Sequence, residues 1–177
     1  MGLCFSINRT YRKLENCGVV DKRTFKNVTR LVRLVDIYDG DTFKVITRLS
    51  SKEPTYEYSL RLAGIDAPEM KPLLTDPDRD LHKRAAINVR DILRKRFPEG
   101  TIFMVDFDAE DKYGRLLGTV WTTRKSWLGL GRARKNINLC QWLLDNKLCV
   151  PYNGSKKEQF TKEVLEQIAN QSNKTLH

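Results

Sequence analysis

From Val28 the chain reads as a strand through Leu31, Val32, Leu34, Val35 and Ile37, and Asp39-Gly40 breaks the run. Phe43, Val45, Thr47 and Leu49 then alternate with Lys44, Ile46 and Arg48, the period of a half-buried strand. Asp-Gly between two such runs is a strong hairpin signal, so the turn is expected there, with Asp41 at the start of the second strand. A third strand is expected from about Tyr56 to Leu62, where Tyr56, Tyr58, Leu60 and Leu62 alternate with Glu57, Ser59 and Arg61. Its parity sends Arg61 to the face opposite the apolar residues, projecting from a rigid element.

Past a Pro- and Asp-rich loop at Met70 to Asp80, the period becomes helical. Leu81, Ala85, Val89, Ile92, Leu93 and Phe97 share one face of a helix over Asp78 to Phe97, ringed by Lys83, Arg84, Arg90, Arg94 and Lys95 and ended by Pro98-Glu99-Gly100. Ile102 to Phe107 and Leu116 to Trp121 read as two further strands, and Arg124 to Lys135 as a long loop carrying Trp127, Leu128 and Leu130 among cations. A second helix is expected over Ile137 to Asn146, with Ile137, Cys140, Leu143 and Leu144 inward and Asn146 as a left-handed C-cap. A turn at Pro151 to Gly154 precedes a third helix over Lys156 to Ala169, with Phe160, Val164, Leu165 and Ile168 inward. Five strands and three helices suggest a small closed sheet with helical cover, α+β and mainly β. The chain divides into a basic tail at 1–27, a folded domain at 28–170 and a polar tail at 171–177.

At 177 residues and 40% hydrophobic, the chain can bury one substantial core. No run approaches the roughly 18 apolar residues of a membrane-spanning helix. A net charge of +10 attracts polyanions, either nucleic acid or an anionic membrane, without choosing between them. Cys4, Cys17, Cys140 and Cys149 form no metal-binding array with His82 and His177. Cys140 and Cys149 read as buried free thiols, which favours a reducing, intracellular compartment. Met1-Gly2-Leu3-Cys4-Phe5-Ser6 fits the pattern for myristoylation at Gly2, with Cys4 beside it open to palmitate. In a eukaryotic cytosol the acylated tail, with its basic residues, would hold the protein peripherally on an anionic membrane.

The densest chemistry lies in Arg61-Leu62-Ala63-Gly64-Ile65-Asp66-Ala67-Pro68-Glu69. Pro68 disfavours helical geometry at Ala67 and sets its carbonyl beside the Asp66 carboxylate, and two hard oxygens suit Ca²⁺ or Mg²⁺. Asp66-x-x-Glu69 is also a capping-box pattern, in which Asp66 would cap a short helix and Glu69 would reach back to its N–H. The stretch alone leaves cap and site equally open. Asp36, Asp39 and Asp41 crowd together ahead of it and call for a cation or an arginine.

Asp39-Gly40-Asp41-Thr42, then Arg61 to Glu69, then Asp111-Lys112-Tyr113-Gly114-Arg115 stand in order on their elements. In this the chain resembles the staphylococcal nuclease, or thermonuclease, family over about Val28 to Ala169. The resemblance implies a five-stranded OB-fold barrel with three helices and Ca²⁺-dependent hydrolysis of DNA and RNA with little sequence preference. By position, Asp41, Asp66 and the Ala67 carbonyl resemble the calcium ligands, and Glu69 the residue that activates the attacking water. Arg61 and Arg115 resemble the pair that grips the phosphate, and Lys112 and Tyr113 sit where the family contacts substrate. The chemistry suits these types: a phosphodiester is already anionic, so a site that brings hydroxide to it must cancel charge and supply a base. The competing reading is a non-catalytic nucleic-acid- or protein-binding module of the same fold. In either case the chain is expected to act as a monomer.

Overall fold

The structure is a computed structural model that describes residues 24–48, 50, 52–111, 113–124, 134–154 and 160–172. Gly2 and Cys4, where acylation is expected, Lys112, where a substrate contact is expected, most of the 124–135 loop and the expected start of the third helix lie outside the described residues.

Among the described residues, eight strands and three helices follow in the order β1 (Val28–Ile37), β2 (Thr42–Thr47), β3 (Tyr56–Leu62), β4 (Ile65–Asp66), α1 (Arg79–Arg96), β5 (Ile102–Glu110), β6 (Leu116–Arg124), β7 (Arg134–Asn138), α2 (Leu139–Asp145), β8 (Val150–Pro151) and α3 (Lys162–Asn170). Antiparallel pairing joins β3 to β2, β2 to β1, β1 to β5 and β5 to β6. A short parallel contact then sets Leu60, Arg61 and Leu62 beside Leu116, Leu117 and Gly118 and closes the ring. The chain is therefore mixed α+β, mostly strand, with an OB-like sheet as expected. It is not strictly a five-stranded barrel, because β7 adds a sixth strand to β6.

The core fills the ring. Leu34, Ile37, Phe43, Leu60, Phe103 and Phe107 are fully buried from the strands, and α1 lays Ala85, Val89, Ile92 and Leu93 against them. Each large side chain contributes about 1.5–3 kcal/mol by leaving water. Ahead of β1, Phe25 packs its ring 5.2 Å from Tyr58 and 5.0 Å from Phe107. Cys140 and Cys149 are buried free thiols, as expected. Among the described residues no helix is long and apolar enough to cross a membrane.

Three elements depart from their expected form: β7, α2, and α3, which starts at Lys162 with Thr161 as its N-cap, so that Phe160, expected on the helix, lies ahead of it. The residues expected to end the long loop and open the second helix form β7 instead, so Ile137 lies on a strand and is 42% exposed. Helix α2 starts at Leu139, where the Asn138 side chain caps it by accepting the Gln141 N–H at 3.2 Å, and it buries Leu139, Cys140, Trp142 and Leu143. Its left-handed residue is Lys147, at φ 54°, and not Asn146, at φ −88°. The Lys147 N–H donates to the Leu144 carbonyl and the Leu148 N–H to the Leu143 carbonyl, both at 2.9 Å. That is a Schellman ending, and its left-handed position falls one residue past the cap.

Strand β7 is stitched to the sheet through Asp106, which accepts from the Thr29 hydroxyl at 2.6 Å, from the Trp121 indole at 2.9 Å and from the Lys135 ammonium. Burial works against its charge, but these donors prevail and hold Asp106 below the usual carboxylate range.

Replacing Lys147 with glycine should raise unfolding free energy by about 0.5–1 kcal/mol in denaturant titration, because glycine adopts positive φ without steric penalty. A depressed folded pKa contributes stability that is present above the unfolded value and is lost as pH falls through the folded one. Thermal unfolding of the wild type should therefore fall off more steeply below about pH 4 than that of Asp106→Asn.

Candidate active site

Strand β3 delivers Arg61 at its end. Gly64, at φ 78°, lets the chain reverse through Ala63-Gly64 into β4, which brings Asp66 back beside Arg61. Strand β8 then covers this bend: Ile65 pairs with Pro151, Asp66 with Val150, and the Tyr152 N–H donates to the Gly64 carbonyl at 3.0 Å. Arg61 is only 9% exposed and does not project freely. Its Nη1 donates to Asp41 Oδ1 at 2.5 Å, and its Nη2 donates to Asp66 Oδ1 at 2.8 Å and to the Ile65 carbonyl at 3.4 Å.

Asp41 sits just before β2. Its carboxylate also accepts the Thr42 hydroxyl at 2.9 Å and the Ala67 N–H at 3.0 Å, and its carbonyl accepts the Leu62 N–H at 2.8 Å. One aspartate thereby ties the β1–β2 connection to the end of β3 and to the bend beyond β4. The helix-cap reading of Asp66 and Glu69 fails here, since Asp66 lies in a strand and Ala67 to Glu69 are not helical. Gly40 makes the close approach possible. Its backbone is not left-handed, so it is present for space: a Cβ there would come within 2.7 Å of Ala67 Cβ and 2.8 Å of Val89 Cγ1.

The second arginine is held by its own loop. Asp111 accepts the N–H groups of Tyr113 and Arg115 at 2.8 and 2.9 Å on one oxygen and Arg115 Nε at 2.7 Å on the other. Burial opposes the Asp111 charge, but these donors hold its carboxyl below the usual range. Arg115 is half-buried, lies 5.6 Å from the centroid of the largely exposed Tyr113 ring, and points Nη1 at Thr42 Oγ1 at 3.5 Å.

Arg61, Arg115, Tyr113, Asp41 and Glu69 all line one cleft of about 1160 Å³, together with Asp39, Thr42 and Tyr152. Of the expected residues, Asp66 and Ala67 form the buried wall behind it, and Lys112 is outside the described residues. Burial pushes the Asp39 carboxyl up to about 7, helped by the charges of Asp41 and Glu69. Burial also raises Asp41, against the pull of Arg61. For Arg61, burial disfavours the charge, but Asp41 and Asp66 more than offset it and raise its pKa. Arg61 pairs with two buried acids, Asp41 and Asp66, and Asp39 is buried beside Asp41, so the described buried groups carry more acid than base. Asp41 and Asp66 themselves offer only oxygen atoms, the ligand chemistry a hard divalent cation takes. Among the described residues, no three carboxylate, imidazole or thiol side chains are grouped to hold a metal ion.

Sequence reasoning did not give Asp39, Thr42, Asp111 and Tyr152 places in the site. The first three stand inside the quoted motifs. Tyr152 has no local signal, because only the pairing of β8 with β4 brings it near.

Because Arg61 neutralises two buried carboxylates and Arg115 is half-exposed, their truncations should differ in denaturant unfolding. Arg61→Ala should cost about 3 kcal/mol or more, and Arg115→Ala less than about 1 kcal/mol.

Residues 59–176 match the model of the family described as staphylococcal nuclease homologue. The match begins at Ser59, inside β3, so Asp39 and Asp41 lie ahead of it and are tied to the matched part through Arg61 and Ala67. The chain is also 29% identical over 143 residues to the probable endonuclease LCL3 of Uncinocarpus reesii (strain UAMH 1704), a pairing that covers 71% of this chain and 45% of that protein. It thus spans under half the length of that relative. With the family model covering about two thirds of its residues, β3 to α3, the chain belongs to the staphylococcal nuclease homologue family.

Proposed function

We propose that this chain is a nuclease that hydrolyses phosphodiester bonds in DNA and RNA, with little sequence preference and with Ca²⁺ as its metal. The observation that carries this reading is the convergence of Arg61, Arg115 and Glu69 on one cleft. A phosphodiester in that cleft would lie between two guanidiniums, which stay charged at any working pH and offer paired donors to its oxygens. Arg61 directs three of its five N–H groups at Asp41, Asp66 and Ile65, which orients the fork and leaves donor capacity for the phosphate. Asp111 orients Arg115 in the same way from the opposite wall.

Glu69 is exposed at the cleft, where its carboxylate would accept the proton of the attacking water. Asp41 and Asp66, completed by the Ala67 carbonyl and water, would hold Ca²⁺, which when bound supplies Lewis-acid polarisation of the phosphoryl oxygen. Preorganised donors of this kind are each worth about 3 kcal/mol in the transition state. Low sequence preference follows if the cleft grips phosphate and leaves most base edges unread.

Cleavage of single-stranded DNA and RNA by the purified protein should require Ca²⁺ and stop in excess chelator. Glu69→Gln and Arg115→Ala should each lower kcat/KM at least about a hundredfold, with little change in melting temperature. A folded protein that binds single-stranded DNA but leaves it intact with Ca²⁺ present would instead support the non-catalytic binding module.

A further inference from the structure

Glu69 and Asp66 also border a second space. A cavity of about 610 Å³ lies between the segment Lys71 to Asp78, the first turn of α1 and Phe160 ahead of α3. Its apolar lining comes from Pro72, Leu73, Pro77 and the Phe160 ring, which meets the His82 ring edge to face with centroids 5.6 Å apart. Its rim is rich in acceptors. Asp76 accepts the Asp78 N–H at 2.9 Å on one oxygen, and its other oxygen lies 3.5 Å from His82 Nε2, which sets the direction of that carboxylate. Among the described lining residues, Lys71 is the one lysine or arginine.

This composition selects its occupant. Asp76 and Asp78, which line this cavity and not the cleft, disfavour a phosphodiester beside them, so the part of a nucleic-acid strand that enters here is an uncharged one. An apolar lining and an aromatic ring suit a heterocycle, and the volume falls in the range of small-molecule sites. Carboxylates accept from exocyclic amines and face the carbonyl edge of thymine or uracil unfavourably.

We infer that this cavity seats a nucleobase, that of the nucleotide on the Glu69 side of the phosphate held by Arg61 and Arg115, and favours adenine and cytosine over thymine and uracil. The inference rests on the nuclease reading of the neighbouring cleft and adds to it a bias in the base taken on one side.

The test uses the full chain and short labelled homopolymers of dA, dC and dT. Their dissociation constants are measured in chelator by fluorescence anisotropy, and their initial cleavage rates with Ca²⁺. Wild type should bind dA and dC at least about fivefold more tightly than dT. Leu73→Ser, at a position 77% exposed and so tolerant of change, should weaken dA and dC binding about threefold or more. Asp76→Asn should level the three affinities. Equal affinities in the wild type, or a base preference that survives both variants, would overturn the assignment. Base-dependent binding without any cleavage would sink the nuclease reading and keep the cavity. Cleavage without base dependence would do the reverse.

Discussion

The buried guanidinium of Arg61 is the constraint on which this structure depends. It joins the connection before β2, the end of β3 and the bend at β4, three segments that a hydrophobic core alone would leave free to slide. Charges taken out of water are expensive, and the mutual attraction of such a group repays that cost only when its geometry and remaining hydrogen bonds are satisfied. Here they are largely satisfied: Asp41 spends one oxygen on Arg61 and Thr42 and the other on the Ala67 N–H. The result is a rigid polar plug in the wall of the cleft, with more acid than base in it. Asp39, pushed up to about 7 mainly by its own burial, marks where that surplus is felt.

Packing supplies the rest of the precision. Gly40 leaves room for Ala67 and Val89 to approach, so the acidic turn, the bend and α1 meet with no slack. The β8–β4 pair presses the bend inward from the outside and brings Tyr152 to the cleft, its ring 5.8 Å from the Arg61 guanidinium. Arg115 touches this cluster only through a long 3.5 Å contact to Thr42. Its position comes from Asp111 four residues earlier, in a loop that organises itself locally. The two arginines are thus fixed by different physics, one by burial among distant segments and one by a short-range turn.

That difference explains what could be read from the chain in advance. The strands with period-two alternation, the long amphipathic helix and the three ordered motifs depend on neighbours in sequence, and they stand where expected. The burial of Arg61 was not legible. Alternation puts it on the far face of β3, but its burial there depends on Asp41 and on the bend at β4, which alternation does not describe. Strand β7 was missed for a related reason. Arg134-Lys135-Asn136-Ile137-Asn138 carries one apolar residue and no period, and it becomes a strand because β6 offers an edge and Asp106 a carboxylate. Asn146 has the better intrinsic preference for a left-handed cap, but the fully buried Leu148 sets where the helix must end, and the unusual backbone falls on Lys147.

Strand β6 divides its second edge between two partners. Leu116 to Gly118 lie against β3 and close the ring, whereas Trp121 to Arg124 pair with β7. Closure and outgrowth therefore occupy separate stretches of one strand. The arm formed by β6 and β7 can gain or lose residues at its far end while the ring keeps its register and the cleft its walls. In such a fold, this arm is the place where descendants of one ancestral barrel can diverge in length at little structural risk.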